Sequence, residues 1–108
     1  METDAAREIL SEIAGLLETG REDAAAVMVR DALAGPDGTI EQFLISNELW
    51  GGAGSIADQA CVDDSGRRKA IEGLLIQLGS LQIQAGKTNL RTGSWVAAFE
   101  KWRRDGVR

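Results

Sequence analysis

The chain has 108 residues, of which 44% are hydrophobic and 27% are charged, and its formal net charge is −5. This length and composition predict one folded domain over residues 1–108, and a single proline argues against disorder. The acidic N-terminus predicts no secretory signal, and no apolar run reaches the roughly 20 residues that cross a bilayer. The only cysteine, Cys61, cannot form an internal disulfide, so we expect a cytoplasmic protein without a membrane partner.

The charges are distributed unevenly along the chain. Residues 1–65 hold 14 acidic and 3 basic residues, a net charge of −11, whereas residues 66–108 hold 9 basic and 3 acidic residues, a net charge of +6. The two halves can complement each other within the fold, or the acidic half can form a surface that steers a partner with a basic surface. The overall sign disfavours nucleic acid as a partner, although the C-terminal stretch KWRRDGVR is basic.

The first half of the chain predicts two helices in an antiparallel hairpin. Apolar residues recur at spacings of three and four from Thr3 to Glu18, which is typical of a helix with one buried face. We expect Gly20 to end this helix in the left-handed conformation. An alanine-rich second helix, about residues 21–34, follows so closely that the two should pack side by side.

The stretch AGPDG, residues 34–38, predicts a break before a third helix. Thr39 and Gln42 form a capping-box pattern, which predicts Thr39 as the N-cap. We expect this helix to end near Leu49. Its buried face is formed by Ile40, Phe43 and Leu44.

The second half predicts a central helix and a last helix. The central helix has the strongest apolar stripe: Ile71, Leu74, Leu75, Leu78 and Leu81. Glycines inside it, Gly73 and Gly79, predict close packing of a neighbour, and Gly86 predicts its end. After a linker from Lys87 to about Thr92, a last helix directs these residues inward: Trp95, Val96, Phe99 and Trp102. The sequence therefore predicts an all-α bundle of about five helices.

The stretch LWGGAGSIADQA, residues 49–60, contains three glycines in four positions. Ser55 and Asp58 have the spacing of a capping box, which predicts a short helix after the glycines. The turn from Gly51 to Ser55 is then a tight corner or an anion site at a helix N-terminus. Known phosphate loops need a preceding strand, and one class needs a lysine as well; the chain offers neither, which favours the corner.

Polar residues with one tryptophan surround this turn and predict a partner-binding patch. Its members are Asn47, Glu48, Trp50, Gly51, Gly52, Gly54, Ser55, Asp58 and Gln59. The spacing of Trp50 after Leu44 and Leu49 favours a core position for that residue, and the polar residues can instead bond the loop backbone. A carboxylate metal site is conceivable at Asp58, Asp63 and Asp64, but the spacing fits no calcium loop, so we expect no metal and no cofactor.

Catalytic side chains are scarce. The chain has no histidine and no tyrosine, so Cys61 has no imidazole to activate it. Glu48 and Asp58 could share acid and base roles if one of them lay in an apolar pocket. We expect a protein without enzymatic activity.

In size, acidity and helical content the chain resembles many small bacterial immunity and antitoxin proteins. The resemblance covers no motif and transfers no residue. It implies an acidic domain that inhibits a partner protein by binding it. The sequence leaves two alternatives, a small-ligand or anion-binding domain that uses the Gly51–Ser55 turn and a homodimeric assembly module.

Overall fold

A computed structural model describes residues 3–51, 55–59 and 65–105, and these residues form helices and no strand, as predicted. Within these residues seven helices result, because the predicted third helix divides in two and the short helix predicted after the glycines is present at Ile56. Their bounds are α1 (Thr3–Thr19), α2 (Asp23–Ala34), α3 (Asp37–Leu44), α4 (Asn47–Trp50), α5 (Ile56–Gln59), α6 (Ser65–Ala85) and α7 (Thr92–Asp105).

The turn between α1 and α2 differs from its prediction at one residue. Arg21, and not Gly20, has the left-handed conformation, with φ 62°. The Glu22 N–H donates to the Leu17 carbonyl at 2.9 Å and thereby closes the end of α1. The Arg67 guanidinium, the flexible end of that side chain, lies against Gly20, where a β-carbon would be 2.6 Å from it.

Arg7 joins the first three helices. Its guanidinium donates to the carbonyls of Leu33 at 3.0 Å and Gly35 at 2.9 Å, which lie at the C-terminal end of α2. It also forms an ion pair with Asp37 in the first turn of α3, at 3.0 Å. The start of α1 therefore lies beside the end of α2, which makes the two helices antiparallel, as the short turn between them predicts.

This contact predicts a pH dependence of stability. Hydrogen bonds from Arg7 and then from Thr3 hold the pKa of the Asp37 carboxyl below its ordinary value. A depressed pKa stabilises the fold above the ordinary aspartate range, and this stability is lost as the pH falls through the folded pKa. Asp37→Asn should therefore reduce the loss of stability in urea unfolding between about pH 6 and pH 3.

The control for this prediction is Arg7→Met, alone and together with Asp37→Asn. Because Asp37 loses its main partner in Arg7→Met, adding Asp37→Asn to that variant should change the acid dependence little. An acid dependence of Asp37→Asn equal to that of the unaltered protein would contradict the prediction.

The third predicted helix begins earlier and ends earlier than its pattern indicates. Thr39 is not the N-cap: Pro36, with ψ 175°, precedes the first helical residue, and the Thr39 N–H donates to its carbonyl at 2.9 Å. The helix ends at Leu44 and not near Leu49. Ser46 then caps α4, because its hydroxyl accepts from the Leu49 N–H at 3.3 Å and donates to the Phe43 carbonyl at 2.7 Å.

The core surrounds α6, which packs against both α1 and α7. The predicted core residues Ile71, Leu75 and Leu78 are fully buried, whereas Leu74 and Leu81 are half-buried. The other large side chains that are fully buried are Leu10, Ile13, Leu17, Ile40, Leu44, Leu49, Trp50, Ile56 and Phe99. The described residues have principal extents of 36 × 29 × 23 Å.

Gly79 allows α7 to approach α6 closely, as the sequence predicts. A β-carbon at Gly79 would collide with a methyl group of Val96 and lie 3.4 Å from the Trp50 ring. Beyond this contact α6 continues to Ala85, and Gly86 follows with φ +71°. In the part of the chain that the structure describes, no helix is long and apolar enough to cross a membrane.

Candidate protein-binding surface

Exposed apolar side chains are concentrated at one end of the molecule. Among the described residues, the exposed large hydrophobic ones are Val27, Ile45, Ile83 and Leu90, and all but Val27 line one depression of about 620 Å³. Leu90 is as exposed as in an extended chain, while Ile45 is 46% and Ile83 49% exposed. We call this depression the Leu90 surface; it is lined by Ile45, Ile83, Gly86, Thr88, Asn89, Leu90 and Gly93.

The loop that carries Leu90 is held by the side chain of Asn89. The Asn89 amide donates to the Ile45 carbonyl at 2.9 Å and to the Asn47 side-chain oxygen at 3.0 Å. Its own oxygen accepts from the Arg91 N–H at 2.8 Å, and its backbone N–H donates to the Thr92 hydroxyl at 3.0 Å. These contacts bond the residues on both sides of Leu90 and leave the leucine side chain in solvent.

Buried Gln82 connects the same loop to the core. Its amide nitrogen donates to the Lys87 carbonyl at 2.8 Å and to the Leu44 carbonyl at 2.7 Å. Its oxygen accepts from the Trp50 indole N–H at 2.9 Å. Both amide protons and the carbonyl oxygen of Gln82 therefore have partners, as a buried polar side chain requires. The start of the Leu90 loop is thereby fixed to α3 and α4 through one side chain.

Charged side chains stand around this apolar surface. Lys87 and Arg91 are exposed on either side of Leu90 in the chain. Glu48 is exposed on α4, next to the Asn47 that accepts from Asn89. The Leu90 surface thus has a leucine and two isoleucines with charged neighbours, the arrangement typical of a protein contact with an apolar centre and a polar rim.

Three members of the predicted partner-binding patch are buried instead. Trp50 is fully buried and its indole is bonded to Gln82, which confirms the core alternative and removes the aromatic side chain from the patch. A β-carbon at Gly51 would collide with the Asn47 carbonyl, so this glycine is a corner residue. The buried Ser55 hydroxyl donates to the Gly51 carbonyl at 3.0 Å, and the Trp95 indole donates to the carbonyls of Trp50 and Gly51.

The other predicted patch residues have different places. Asn47 and Glu48 are exposed, and Glu48 lines a second depression of about 400 Å³ whose other carboxylate is Asp31. Gly52 and Gly54 lie outside the described residues, as do the side chains of Asp58 and Gln59. Of the predicted anion site at the Gly51–Ser55 turn, the structure therefore describes only the first and last residues, Gly51 and Ser55.

The structure does not describe the candidate nucleophile or two of the candidate metal ligands. Cys61, Asp63 and Asp64 lie outside the described residues. Within residues 3–51, 55–59 and 65–105, no three acidic, cysteine or histidine side chains are grouped so that they could hold a metal ion.

Comparison of the chain with protein-family models, curated proteins and solved structures found no match. The functional argument consequently depends on the residues of this chain alone. The Leu90 surface was not predicted from the sequence, because Leu90 lies in a linker where no helical period marks it. A large apolar residue alone among the polar residues of the linker KTNLRT was the available signal.

Proposed function

We propose that this chain is a non-enzymatic protein-binding domain that contacts its partner through the Leu90 surface. One observation carries the proposal: a fully exposed leucine, on a loop that hydrogen bonds hold in place, lines one depression with two half-exposed isoleucines. Fully burying an aliphatic side chain of this size is worth about 1.5–3 kcal/mol. A partner that covers Leu90 gains this contribution at the centre of the contact, where binding energy is usually concentrated.

The charges of the domain support a partner that is basic outside its contact with Leu90. Exposed carboxylates on α1 to α4 are Asp4, Glu8, Glu12, Glu18, Asp23, Asp31, Asp37 and Glu48. These carboxylates attract a basic protein over a distance, while Leu90 and its neighbours make the short-range contact. Lys87 and Arg91 require that the partner atoms nearest Leu90 be apolar or acidic.

Acidic helices together with an apolar contact surface are expected of a cytoplasmic inhibitor of the immunity or antitoxin type. In such a role the acidic helices raise the rate of association, and the Leu90 surface slows dissociation. Raising the salt concentration should therefore lower the association rate more than it raises the dissociation rate.

Leu90→Ser tests the proposal. A partner is captured from a lysate of the source organism with the unaltered protein and identified, and its dissociation constant is then measured with purified proteins. Leu90→Ser should raise that constant about tenfold or more, since the variant loses the apolar centre of the contact. The melting temperature should be unchanged because Leu90 contacts no core residue that its loss would expose.

Val27→Ser is the matched control. Val27 is 55% exposed on α2 and does not line the Leu90 surface, so this variant loses a similar exposed side chain at another place. It should bind the partner as the unaltered protein does. Equal affinities for Leu90→Ser and Val27→Ser would refute the proposed surface.

A further inference from the structure

A second apolar face lies between α1 and α6. Two depressions of about 710 and 510 Å³ follow each other along the two helices and share Gln77. Thr19 and Lys69 line one end, and Ala5 and Gln84 line the other, so the helices are antiparallel. From Lys69 to Gln84 this α1–α6 groove is about 22 Å long, the length of four helical turns.

The floor of the α1–α6 groove is apolar and only half covered. Leu16 and Leu74 line one part, and Ile76 and Leu81 line the other; each is partly buried against the core. Gly15 lines the same part as Leu16 and Leu74 and lies in the interior of α1, where a β-carbon would meet no atom within 4 Å. Packing within the chain therefore gives no reason for a glycine that costs about 1 kcal/mol in a helix. A partner surface packed against the groove would explain the glycine, because it would occupy the space of the missing side chain.

The two ends of the groove have opposite charge. Glu8 is the charged residue that lines the end near Ala5 and Gln84. Lys69 and Arg103 line the other end, and Glu12 lies near the middle, seven residues along α1 from both Ala5 and Thr19. The Arg103 guanidinium is held there by its hydrogen bond to the Lys69 carbonyl, at 3.2 Å.

We propose that the occupant of the α1–α6 groove is a second copy of this chain. A two-fold axis across the middle of the groove, perpendicular to the helices, places each acidic end over the basic end of the other copy. Two pairs of opposite charge, Glu8 with Lys69 at each end, thus stand against one pair of like charge, the two Glu12 side chains near the axis. The ends of the groove are therefore complementary in charge, as an isologous contact requires. The half-buried leucines of both copies then cover one another, and the Leu90 surface, which lies at a different place, takes no part in the dimer.

A charge exchange tests this dimer. Sedimentation of the unaltered protein over a range of concentrations should show a species of twice the 11.6 kDa chain mass. Glu8→Lys and Lys69→Glu should each raise the dimer dissociation constant about fivefold or more, because each change acts at both symmetric ends. The double variant, Glu8→Lys with Lys69→Glu, should recover the dimer, since it restores the opposite charges with their places exchanged.

Asp31→Lys is the control, because Asp31 is exposed on α2 and does not line the groove. It should leave the dissociation constant unchanged, and all variants should keep the circular dichroism spectrum of the unaltered protein. A monomer at every concentration would overturn the proposal. So would a dimer that Leu90→Ser dissociates and the two single charge reversals do not.

Discussion

Leu75→Ala and Leu78→Ala should each lower the free energy of unfolding by about 2–5 kcal/mol, the usual effect of removing a buried leucine side chain. Both residues are fully buried on α6, the helix that packs against both α1 and α7. Because both side chains are fully buried among close-packed neighbours, little relaxation can fill the cavity that each change leaves. Unfolding in urea, followed by circular dichroism, measures the effect.

Val27→Ala is the control for these two variants. The side chain is 55% exposed, so its loss should change the free energy of unfolding by less than about 0.5 kcal/mol. If the two leucine variants were as stable as Val27→Ala, the position of α6 in the core would be wrong.

Gln82→Met should also have a large effect, about 3 kcal/mol, although it keeps the size of the side chain. The change removes three hydrogen bonds at once and leaves the Trp50 indole N–H and the Leu44 carbonyl without a partner inside the protein. A buried polar group without a partner costs about 1–3 kcal/mol. Urea unfolding gives the loss of stability, and the partner's dissociation constant gives the effect on the Leu90 loop.

Gln42→Met is the matched control, because Gln42 is exposed on α3 and lines neither the Leu90 surface nor the α1–α6 groove. Its stability should equal that of the unaltered protein.

A second check is Trp50→Phe, which removes only one partner of Gln82. Adding Gln82→Met to it should cost less than in the unaltered protein, since the Trp50 bond is already absent. Equal costs would show that the Trp50–Gln82 bond contributes nothing.

The helices and their buried faces could be predicted because each depends on residues close together in the chain. The period of Ile40, Phe43 and Leu44 indicated the buried face of α3, and all three residues are buried. Gly79 indicated a close neighbour, since a glycine inside a helix is costly unless space is needed. Local signals of this kind are complete within about two helical turns.

The details that the sequence did not predict depend on contacts between distant parts of the chain. Gly20 was expected to be left-handed, but Arg67 of α6 lies against it, and Arg21 takes that conformation. The partner of the Trp50 indole is 32 residues away along the chain. The Leu90 surface could not be predicted for the same reason, because the bond between Asn89 and Ile45 spans 44 residues. The periodicity of apolar residues does not predict a hydrogen bond between residues so far apart in the sequence.

The hydrogen bonds of Gln82 and Asn89 have a consequence for the entropy of binding. A free loop that closes on a partner must lose the rotational freedom of its backbone, at about 1–2 kcal/mol for each residue that becomes ordered. The loop around Leu90 has already lost much of that freedom during folding, because its Lys87 carbonyl is bonded to Gln82 of α6, its Asn89 N–H to Thr92 of α7, and its Asn89 side chain to the Ile45 carbonyl. Covering Leu90 therefore carries little further cost for ordering its loop, so more of the free energy gained by burying the apolar side chains contributes to affinity.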